Sequence, residues 1–272
     1  MKGLRILIVT PTLGASPWLS ETVESVRAMC PDCVHVLVAP KTVVGNLAER
    51  FPHCVVLEDG GKEAGLYGAI NIAVKHFTNQ WDFMSYINDD DLLMLGFCDA
   101  VAALKKSDST VDIAYGRVWY IDSKGDLVSP ISIERHTDSL LDLASILVPG
   151  IVQQGMLVSY NCWHALNGFN ERYKLAADFD FIIRAKLAEL VFCFVDAEVA
   201  AFRLRKGQLS GALKSMEDEC VLIRNSHFGG EPSKFRKNLI LLRYRLGHSL
   251  DYFKRFAKLG FRSSKTLIST AD

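Results

Sequence analysis

The sequence lacks a long hydrophobic run. None of its apolar stretches approaches the roughly 20 residues that a membrane-spanning helix needs. The first of them, residues 4–9, ends at Thr10 and Pro11 before it is long enough for a signal sequence. Low-complexity tracts and internal repeats are also absent. We therefore expect a soluble globular chain, large enough at 272 residues for one α/β domain with an appendage.

The cysteines do not suggest a disulfide framework. There are seven of them, an odd number, and they are scattered through apolar segments. This distribution is typical of reduced thiols. The sequence therefore predicts a cytoplasmic protein.

Short apolar segments alternate with amphipathic ones over the first two thirds of the chain, which is typical of a mostly parallel sheet covered by helices. The predicted strands are residues 4–10, 34–39, 54–57, 83–87, 111–121, 127–133, 156–159 and 191–202. The predicted helices are residues 16–29, opened by an N-cap at Ser16, and 66–77, 92–105 and 178–190. Residues 123–126 predict a hairpin turn, so an antiparallel excursion makes the sheet mixed.

Asn88, Asp89, Asp90 and Asp91 directly follow the fourth predicted strand. Four oxygen-bearing side chains on one turn concentrate negative charge, which a divalent cation would neutralise. An alternative is that the aspartates cap a helix that begins at Leu92. Because ligands of open α/β sheets bind outside the carboxyl ends of the strands, we expect this turn to share one sheet edge with residues 10–12 and 58–59.

Residues 58–71 form a glycine-rich loop that leads into a helix, which offers backbone N–H groups to phosphate oxygens. Tyr67 and Ile70 are equally well explained as core residues of that helix. The chain has no Gly-x-x-x-x-Gly-Lys signature, and residues 10–14 lack the glycine fingerprint of dinucleotide-binding folds. A nicotinamide-dependent dehydrogenase is therefore disfavoured.

The motifs that carry chemistry follow one another in a definite order. They are Thr10-Pro11-Thr12, Gly65-Leu66-Tyr67-Gly68-Ala69-Ile70-Asn71, Ile87-Asn88-Asp89-Asp90-Asp91, Gln153-Gln154-Gly155, Leu166-Asn167-Gly168-Phe169-Asn170-Glu171, Ala177-Asp178-Phe179-Asp180 and Gly207-Gln208-Leu209-Ser210. In this order they resemble family 2 of the glycosyltransferases, which has the GT-A fold, and in particular its bacterial members that build polysaccharides. Ala39-Pro40 stands where many members have an aspartate that closes the second strand.

The resemblance implies an α/β protein with the GT-A fold, in which a mixed, mostly parallel central sheet is flanked by helices. It implies an inverting transfer of a sugar from a nucleotide-diphosphate donor, with a UDP-sugar favoured, to a hydroxyl of a saccharide or lipid-linked acceptor. The implied cofactor is Mg²⁺ or Mn²⁺. A carboxylate would take the proton of the acceptor hydroxyl as that oxygen attacks the anomeric carbon.

The resemblance also implies roles for individual residues. The expected donor-binding residues are Thr10, Pro11, Thr12, Asp59, Tyr67, Asn71, Asn88 and Asp89. The expected acceptor-side residues are Gln154 and Gly155, and the expected metal ligands are Asp90 and Asp91, with Asp89 left open by a one-residue ambiguity in the register.

Asp178 matches the position of the family's base, and Asp180 is its competitor. Asp180 and Arg184 lie one helical turn apart and are able to pair, because residues i and i+4 are neighbours on a helix. This gives Asp180 a structural role and leaves Asp178 to face the site. The alternative for Asp178 is a plain helix cap. Further along, Arg203, Arg205 and Lys206 are candidates for contact with a diphosphate, or alternatively a solvated strand end.

Two other classes of function remain open. Metal-dependent nucleotidyl or phosphoryl transfer also uses clustered aspartates and a glycine-rich loop. A non-catalytic nucleotide-sugar-binding protein of the same fold is the second, suggested by Ala39-Pro40 and by Asn88 in the first position of the acidic motif.

The last part of the chain differs in charge from the rest. Residues 216–272 contain 11 Lys and Arg against 6 Asp and Glu, a net charge of +5, and the whole chain is neutral. We therefore divide the chain into a glycosyltransferase-like domain, residues 1–212, and a basic helical extension, residues 213–272. In its second predicted helix, Leu239, Leu242, Leu246, Leu250 and Phe253 lie at helical spacing.

These residues predict that the second helix packs against the domain or against a twin subunit. In the second case the protein is a homo-oligomer. The alternative is peripheral contact with an anionic membrane, at its inner face. Nucleic acid is not an expected partner.

Overall fold

The computed structural model describes residues 3–106, 111–205, 213–249 and 253. The strands are β1 (Ile6–Pro11), β2 (Val34–Ala39), β3 (Val55–Glu58), β4 (Phe83–Tyr86), β5 (Leu92–Leu93), β6 (Ile113–Ile121), β7 (Leu127–Pro130), β8 (Leu157–Ser159) and β9 (Phe192–Arg203). The helices are α1 (Leu19–Met29), α2 (Lys41–Arg50), α3 (Gly65–His76), α4 (Gly96–Lys106), α5 (Leu140–Ser145), α6 (Tyr160–Ala165), α7 (Ala177–Leu187), α8 (Leu213–Phe228) and α9 (Lys234–Gly247), with a 3₁₀ turn at Thr137–Ser139.

The nine described strands form one mixed sheet in the order β3-β2-β1-β4-β8-β6-β9-β5, and β7 pairs with β6. The first four strands in this order are mutually parallel. β8 is antiparallel to both β4 and β6, whereas β9 is parallel to β6 and antiparallel to β5. The predicted mixed α/β sheet flanked by helices is therefore confirmed.

β1 lies between β2 and β4, and all six of its residues are buried. A parallel strand that is covered on both faces has a continuous apolar sequence, as residues 6–9 do. Thr10 is also fully buried, with its Oγ1 2.9 Å from Nε2 of His35 on β2. Burial lowers the pKa of His35 to about 3, so the histidine is neutral and the pair is a neutral hydrogen bond inside the sheet.

The segment after the aspartates differs from the prediction. Leu92 and Leu93 form the short strand β5, which pairs with Ala200 and Ala201 of β9, and α4 begins only at Gly96. The prediction that the aspartates cap a helix at Leu92 is therefore wrong. Pairing with β9 supplies hydrogen bonds to this backbone and overrides its helical propensity.

Three local features also differ from the sequence prediction or add to it. α2, α5 and α6 were not predicted. α1 begins at Leu19, and the Ser16 hydroxyl donates to the Asp89 carbonyl instead of capping α1 as its N-cap residue. The hairpin turn at residues 123–126 is confirmed, because β6 and β7 are antiparallel on either side of it.

The two helices of the extension pack on the rest of the protein. Ile223 of α8 is fully buried, and α9 buries Ile240 and Tyr244. Leu242 and Leu246 of the predicted packing face are 55% and 66% exposed, so this face does not pack against the domain, and contact with a twin subunit or a membrane stays a prediction. Leu250 and the proposed boundary near residue 212 lie outside the described residues. No helix of the described residues is long and apolar enough to span a bilayer.

Substitution of Gly96 in α4, with Gly45 in α2 as the control, tests how closely α4 packs on β9. A Cβ at Gly96 would lie 2.5 Å from the Glu198 carbonyl oxygen, a backbone atom that has no freedom to move away, whereas a Cβ at Gly45 in α2 has no atom within 4 Å. We expect Gly96→Ala to lower the free energy of unfolding by about 1–3 kcal/mol, and Gly45→Ala to raise it by about 0.5–1 kcal/mol. Urea denaturation of both variants measures this. Equal stabilisation by both substitutions would contradict the described position of α4.

Candidate active site

The aspartate loop, residues 87–91, lies at the carboxyl end of β4 and contacts the loop that follows β1. Thr12 donates its hydroxyl to Asp89 Oδ2 at 2.5 Å, and Ser16 donates to the Asp89 carbonyl at 2.8 Å. Burial raises the pKa of Asp89, and the hydrogen bond from Thr12 opposes that rise. Two of the loops that were predicted to meet at one sheet edge therefore do so.

The Asp91 side chain is fully buried and accepts three N–H groups. Its Oδ1 accepts from the Arg203 backbone at 2.9 Å, and its Oδ2 accepts from the Asn88 and Gln154 amides, each at 3.1 Å. Burial, followed by the charge of Asp90, raises the pKa of Asp91 to about 8. Because both oxygens are occupied inside the protein, the structure disfavours the predicted role of Asp91 as a metal ligand. It joins three chain segments instead.

Asp90 is the neighbouring carboxylate, and its Oδ2 accepts a hydrogen bond from Arg205 Nε. The Arg205 side chain is 25% exposed and lies over the Trp18 ring at 5.6 Å. Arg205 therefore places a cation beside the aspartate loop. Lys206 and the motif at residues 207–210 lie outside the described residues.

Arg203 has a different role from Arg205. Its side chain is fully buried, its Nε donates to the Asp90 carbonyl at 2.7 Å, and its NH2 group donates to Glu21 of α1 at 2.7 Å. The suggestion that Arg203 reaches a diphosphate is therefore wrong. Its guanidinium cross-links the aspartate loop to α1.

Asp178 lies in the first turn of α7 and is bonded to Tyr67 of α3. The Tyr67 hydroxyl donates to Asp178 Oδ1 at 2.8 Å, and the Phe179 N–H donates to the same oxygen at 2.9 Å. Burial raises the pKa of Asp178, and the Tyr67 hydrogen bond is the largest effect that opposes the rise. Burial also raises the pKa of Tyr67 well above its ordinary value, so the phenol keeps its proton as a donor.

Tyr86, the last residue of β4, connects this pair to the aspartate loop. Its ring packs edge-on against the Tyr67 ring at 6.4 Å between centroids. Its pKa is raised well above the ordinary value, first by burial, and the charges of Asp178 and Asp91 both contribute. Tyr86 directly precedes the aspartate loop, so its contact with Tyr67 places the Tyr67–Asp178 pair beside the strand that carries this loop.

The competitor Asp180 is 2% exposed and is paired on both oxygens. Its Oδ2 accepts from Arg184 Nε at 2.7 Å, as predicted, and its Oδ1 lies 2.8 Å from Nε2 of His227 on α8. Glu219 of α8 accepts the backbone N–H groups of residues 174–176 at 2.8–3.0 Å, directly before α7. Helix α8 therefore holds both the start of α7 and Asp180.

Asn71 is fully engaged in holding the loop before α7. Its Nδ2 donates to the Phe169 carbonyl and to Glu171 Oε1, each at 2.9 Å, and its Oδ1 accepts from the Phe169 N–H at 3.0 Å. Gly168 has a φ of 68°, and a Cβ there would lie 2.9 Å from Asn71 Oδ1. The two sequence motifs that contain Asn71 and Gly168 therefore pack directly against each other. The Asn71 amide is used in this contact and does not point to a ligand.

The remaining predicted residues are placed as follows. Thr10 points into the sheet towards His35, and Pro11 ends β1. Asp59 follows β3 at the same sheet edge and caps its own turn by accepting the Gly61 N–H at 2.9 Å. Gly155 has a φ of 73° and packs so tightly that a Cβ would lie 2.8 Å from Val199, so its role in the structure is close packing.

The comparisons with known proteins concern the fold. No protein-family model and no curated protein sequence matches the chain. S. aureus TarS residues 1–349 in complex with UDP-GlcNAc matches with a TM-score of 0.62 and 16% identity, over 93% of this chain and 75% of that one. The mannosyltransferase PcManGT from Pyrobaculum calidifontis in complex with GDP-Man and Mn²⁺ matches at 0.59 and 14%, over 93% and 72%.

A third match is glucosyl-3-phosphoglycerate synthase from Mycobacterium tuberculosis in complex with Mn²⁺, UDP and glucosyl-3-phosphoglycerate. Its TM-score is 0.56 and its identity 14%, over 85% of this chain and 82% of that one. The chain has the GT-A fold. In this fold, hydrogen bonds from Arg203 hold the aspartate loop in place, and the hydrogen bond from Tyr67 holds Asp178.

The aspartate loop fits a cation that is coordinated only in part by protein side chains. Carboxylate oxygens are the ligands that Mg²⁺ and similar hard cations prefer. Among the described residues no group of three or more His, Cys, Asp and Glu side chains forms a complete metal site, and Asp91 is occupied. Asp90, with Asp89 beside it, fits a cation held mainly by phosphate oxygens and water, as Mg²⁺ commonly is.

Sequence reasoning missed Glu219 and predicted the wrong contact for Arg203, and both residues organise the site. Arg203 ends an apolar strand, and nothing in its local sequence indicates that it bonds the aspartate loop 112 residues earlier. Glu219 lies among other acidic residues of α8, which resemble a solvated helix surface. Both act through contacts between distant segments, and a local pattern does not reveal such contacts.

The Asp91 contacts predict a large effect on stability. Asp91→Ala leaves three buried N–H groups without their acceptor, and we expect the free energy of unfolding to fall by about 3 kcal/mol or more. Asp32→Ala, at an exposed position, is the matched control and is expected to change it by less than about 0.5 kcal/mol. Urea denaturation measures both variants. A loss below about 1 kcal/mol for Asp91→Ala would show that Asp91 does not hold these segments together.

Proposed function

We propose that the chain is an inverting glycosyltransferase that moves a sugar from a nucleotide-diphosphate donor to an acceptor hydroxyl in polysaccharide or glycolipid assembly. The observation that carries the proposal is the bond between Asp178 and Tyr67, whose ring contacts Tyr86 directly before the aspartate loop. It fixes a half-buried carboxylate beside a sheet edge that carries further acidic groups, which is the arrangement that a one-step displacement requires.

The bound molecules of the matched structures support this class of donor. TarS was solved with UDP and UDP-GlcNAc, the mannosyltransferase with GDP-Man and Mn²⁺, and the synthase with UDP and Mn²⁺. All three contain a nucleoside diphosphate or its sugar ester. We favour a UDP-sugar, with a GDP-sugar as the next candidate.

In the proposed reaction, Asp178 accepts the proton of the acceptor hydroxyl. The acceptor oxygen forms a bond to the anomeric carbon from the face opposite the leaving group, the bond from that carbon to the phosphate oxygen breaks, and the nucleoside diphosphate leaves. Tyr67 and the Phe179 N–H orient Asp178 by donating to one of its oxygens, which leaves the other for the acceptor. Burial of Asp178 raises its proton affinity, which favours a base.

Two charged groups are proposed for the donor side. Asp90 would hold a divalent cation, Mg²⁺ or Mn²⁺, which when bound stabilises the charge of the departing diphosphate. Arg205, partly exposed beside Asp90, is placed to neutralise the same charge. Thr12, Asn88 and Asp89 shape this part of the loop.

The other predicted residues fit supporting roles in the proposal. Asp59, at the adjacent strand end, is proposed to contact the nucleoside. Pro11 shapes the loop after β1, and Thr10 supports it from inside the sheet. Gln154 and Gly155 are proposed to act on the acceptor side only indirectly, through Asp91 and through the packing against β9.

The first experiment incubates the purified chain with UDP- and GDP-sugars, Mn²⁺ and a panel of saccharide and lipid-linked acceptors, and measures the released nucleoside diphosphate. We expect Asp178→Asn to lower turnover by about 10²–10⁴-fold, because a general base contributes about that much, while donor affinity measured by calorimetry stays close to that of the parent. We expect Asp90→Asn to weaken metal-dependent donor binding instead. NMR of the product is expected to show an inverted anomeric configuration.

Asp180→Asn is the matched control for the base. Since Asp180 is paired with Arg184 and His227, we expect this variant to lose stability and its folded fraction to keep its turnover. If Asp180→Asn abolished turnover and Asp178→Asn did not, the assignment of the base would be wrong. Release of pyrophosphate would indicate nucleotidyl transfer, and donor binding without any turnover would favour the non-catalytic alternative.

The Tyr67 hydrogen bond predicts a shift in pH dependence. Tyr67 donates to the charged form of Asp178 and so lowers the pKa that burial has raised. Tyr67→Phe removes this donor, so the pKa of Asp178 rises further. We expect the acidic limb of kcat/KM, below which Asp178 is protonated and inactive, to move to higher pH.

Tyr160→Phe makes the same substitution at a tyrosine that bonds Asn79 instead of Asp178, and its acidic limb is expected to match the parent. An acidic limb that stayed in place in Tyr67→Phe, or moved to lower pH, would contradict Asp178 as the titrating base.

A further inference from the structure

Helix α9 has a buried inner face that fixes it to the rest of the protein. Ile240 and Tyr244 pack with Leu143 and Ile146 in one buried apolar cluster. The Tyr244 hydroxyl donates to the Ser132 carbonyl at 3.1 Å. The buried contacts of the helix are therefore on its inner face.

The outer face of α9 carries an apolar stripe, which consists of Phe235, Leu239, Leu242 and Leu246. Their exposed fractions are 80%, 37%, 55% and 66%. At about 100° per residue these positions fall within an arc of about 60°, opposite Tyr244. An apolar stripe on a helix face of a folded domain marks a surface that contacts something apolar.

Basic side chains flank the stripe on both sides. Arg236 and Arg243 lie about 80–100° from Phe235 in one direction, and Lys234 and Arg245 lie about as far in the other. α9 contains five Lys and Arg residues and no Asp or Glu. Partners on other segments, such as Asp142 for Arg236, neutralise only part of this charge. The outer face is thus an apolar strip between two rows of positive charge.

The charge distinguishes between two possible occupants. A second copy of the chain, packed through the same face, would place the arginines on either side of the stripe against their own counterparts, and like charges at such flanking positions oppose helix pairing. An anionic lipid surface accepts the apolar stripe between its acyl chains and the basic rows at its headgroups. The complementary charge therefore favours the lipid surface.

We propose that the outer face of α9 docks the protein on an anionic membrane surface, with the helix axis parallel to the bilayer. The docking uses a helix already folded against the domain, so it needs no transition from disorder. It does not depend on sugar transfer or on donor binding.

The test is co-sedimentation of the full chain, without donor or metal, with phosphatidylcholine vesicles that contain either no anionic lipid or about one third phosphatidylglycerol. We expect the parent to pellet with the anionic vesicles at low salt and to be released by high salt. Leu242→Ser/Leu246→Ser and Arg243→Gln/Arg245→Gln are each expected to lower the bound fraction by about tenfold. All four positions are exposed, so the variants are expected to keep the parental thermal unfolding temperature.

Matched controls make the same changes elsewhere. Leu187→Ser replaces a leucine of α7 that is 48% exposed, and Lys41→Gln/Lys75→Gln removes two exposed positive charges from α2 and α3. Both are expected to bind vesicles like the parent. The proposal is overturned if the parent fails to pellet, if the leucine variant binds as the parent does, or if light scattering without lipid shows a dimer that the leucine variant converts to monomer.

Discussion

The buried carboxyl group of Asp91 joins its own loop to two segments that are far away in the sequence. It accepts the backbone N–H of Arg203 at the end of β9, the Gln154 amide before β8 and the Asn88 amide of its own loop. Burying an ionisable group away from water costs free energy unless hydrogen-bond donors surround it. The three N–H groups that bond Asp91 reduce this cost. With Asp91 turned inwards, Asp90 pairs with Arg205, whose side chain is 25% exposed. The proposed chemistry at this sheet edge therefore depends on an aspartate to which we assign a structural role.

A second dependence connects the basic extension to the candidate base. Glu219 accepts three backbone N–H groups immediately before α7, and His227 pairs with Asp180 inside that helix. Asp178 therefore takes its position from α8 as well as from Tyr67 of the sheet domain. The same extension carries α9, whose outer face has the properties of a lipid-binding surface. The proposed site and the proposed membrane contact thus share one helical segment as support.

Sequence patterns predicted the features that depend on residues close together in the chain. The apolar runs predicted the strands, Gly125 indicated the hairpin turn, and the spacing of Asp180 and Arg184 predicted their ion pair. The predictions failed where a distant partner decided the outcome. Leu92 and Leu93 form a strand because β9 lies alongside, and Asp91 turns inwards because the Arg203 N–H is there.

The same limit explains the outer stripe of α9. Its leucines have the spacing of a packing face, but Tyr244 and Ile240 on the opposite side make the buried contacts. A helical period identifies an apolar face and does not identify what covers it. Likewise, Asn71 was predicted to bind the donor, but its amide bonds the loop around Phe169.

The proposed donor site is best tested by a crystal structure of the chain grown with UDP and Mn²⁺, with the metal located by anomalous diffraction. The proposed site requires that Mn²⁺ bind Asp90 and the diphosphate, that Asp91 stay bonded to Arg203 and Gln154, and that the nucleotide lie at the carboxyl ends of β1 and β4. Mn²⁺ bound to an Asp91 that has left its buried partners, or a nucleotide bound away from this sheet edge, would contradict it.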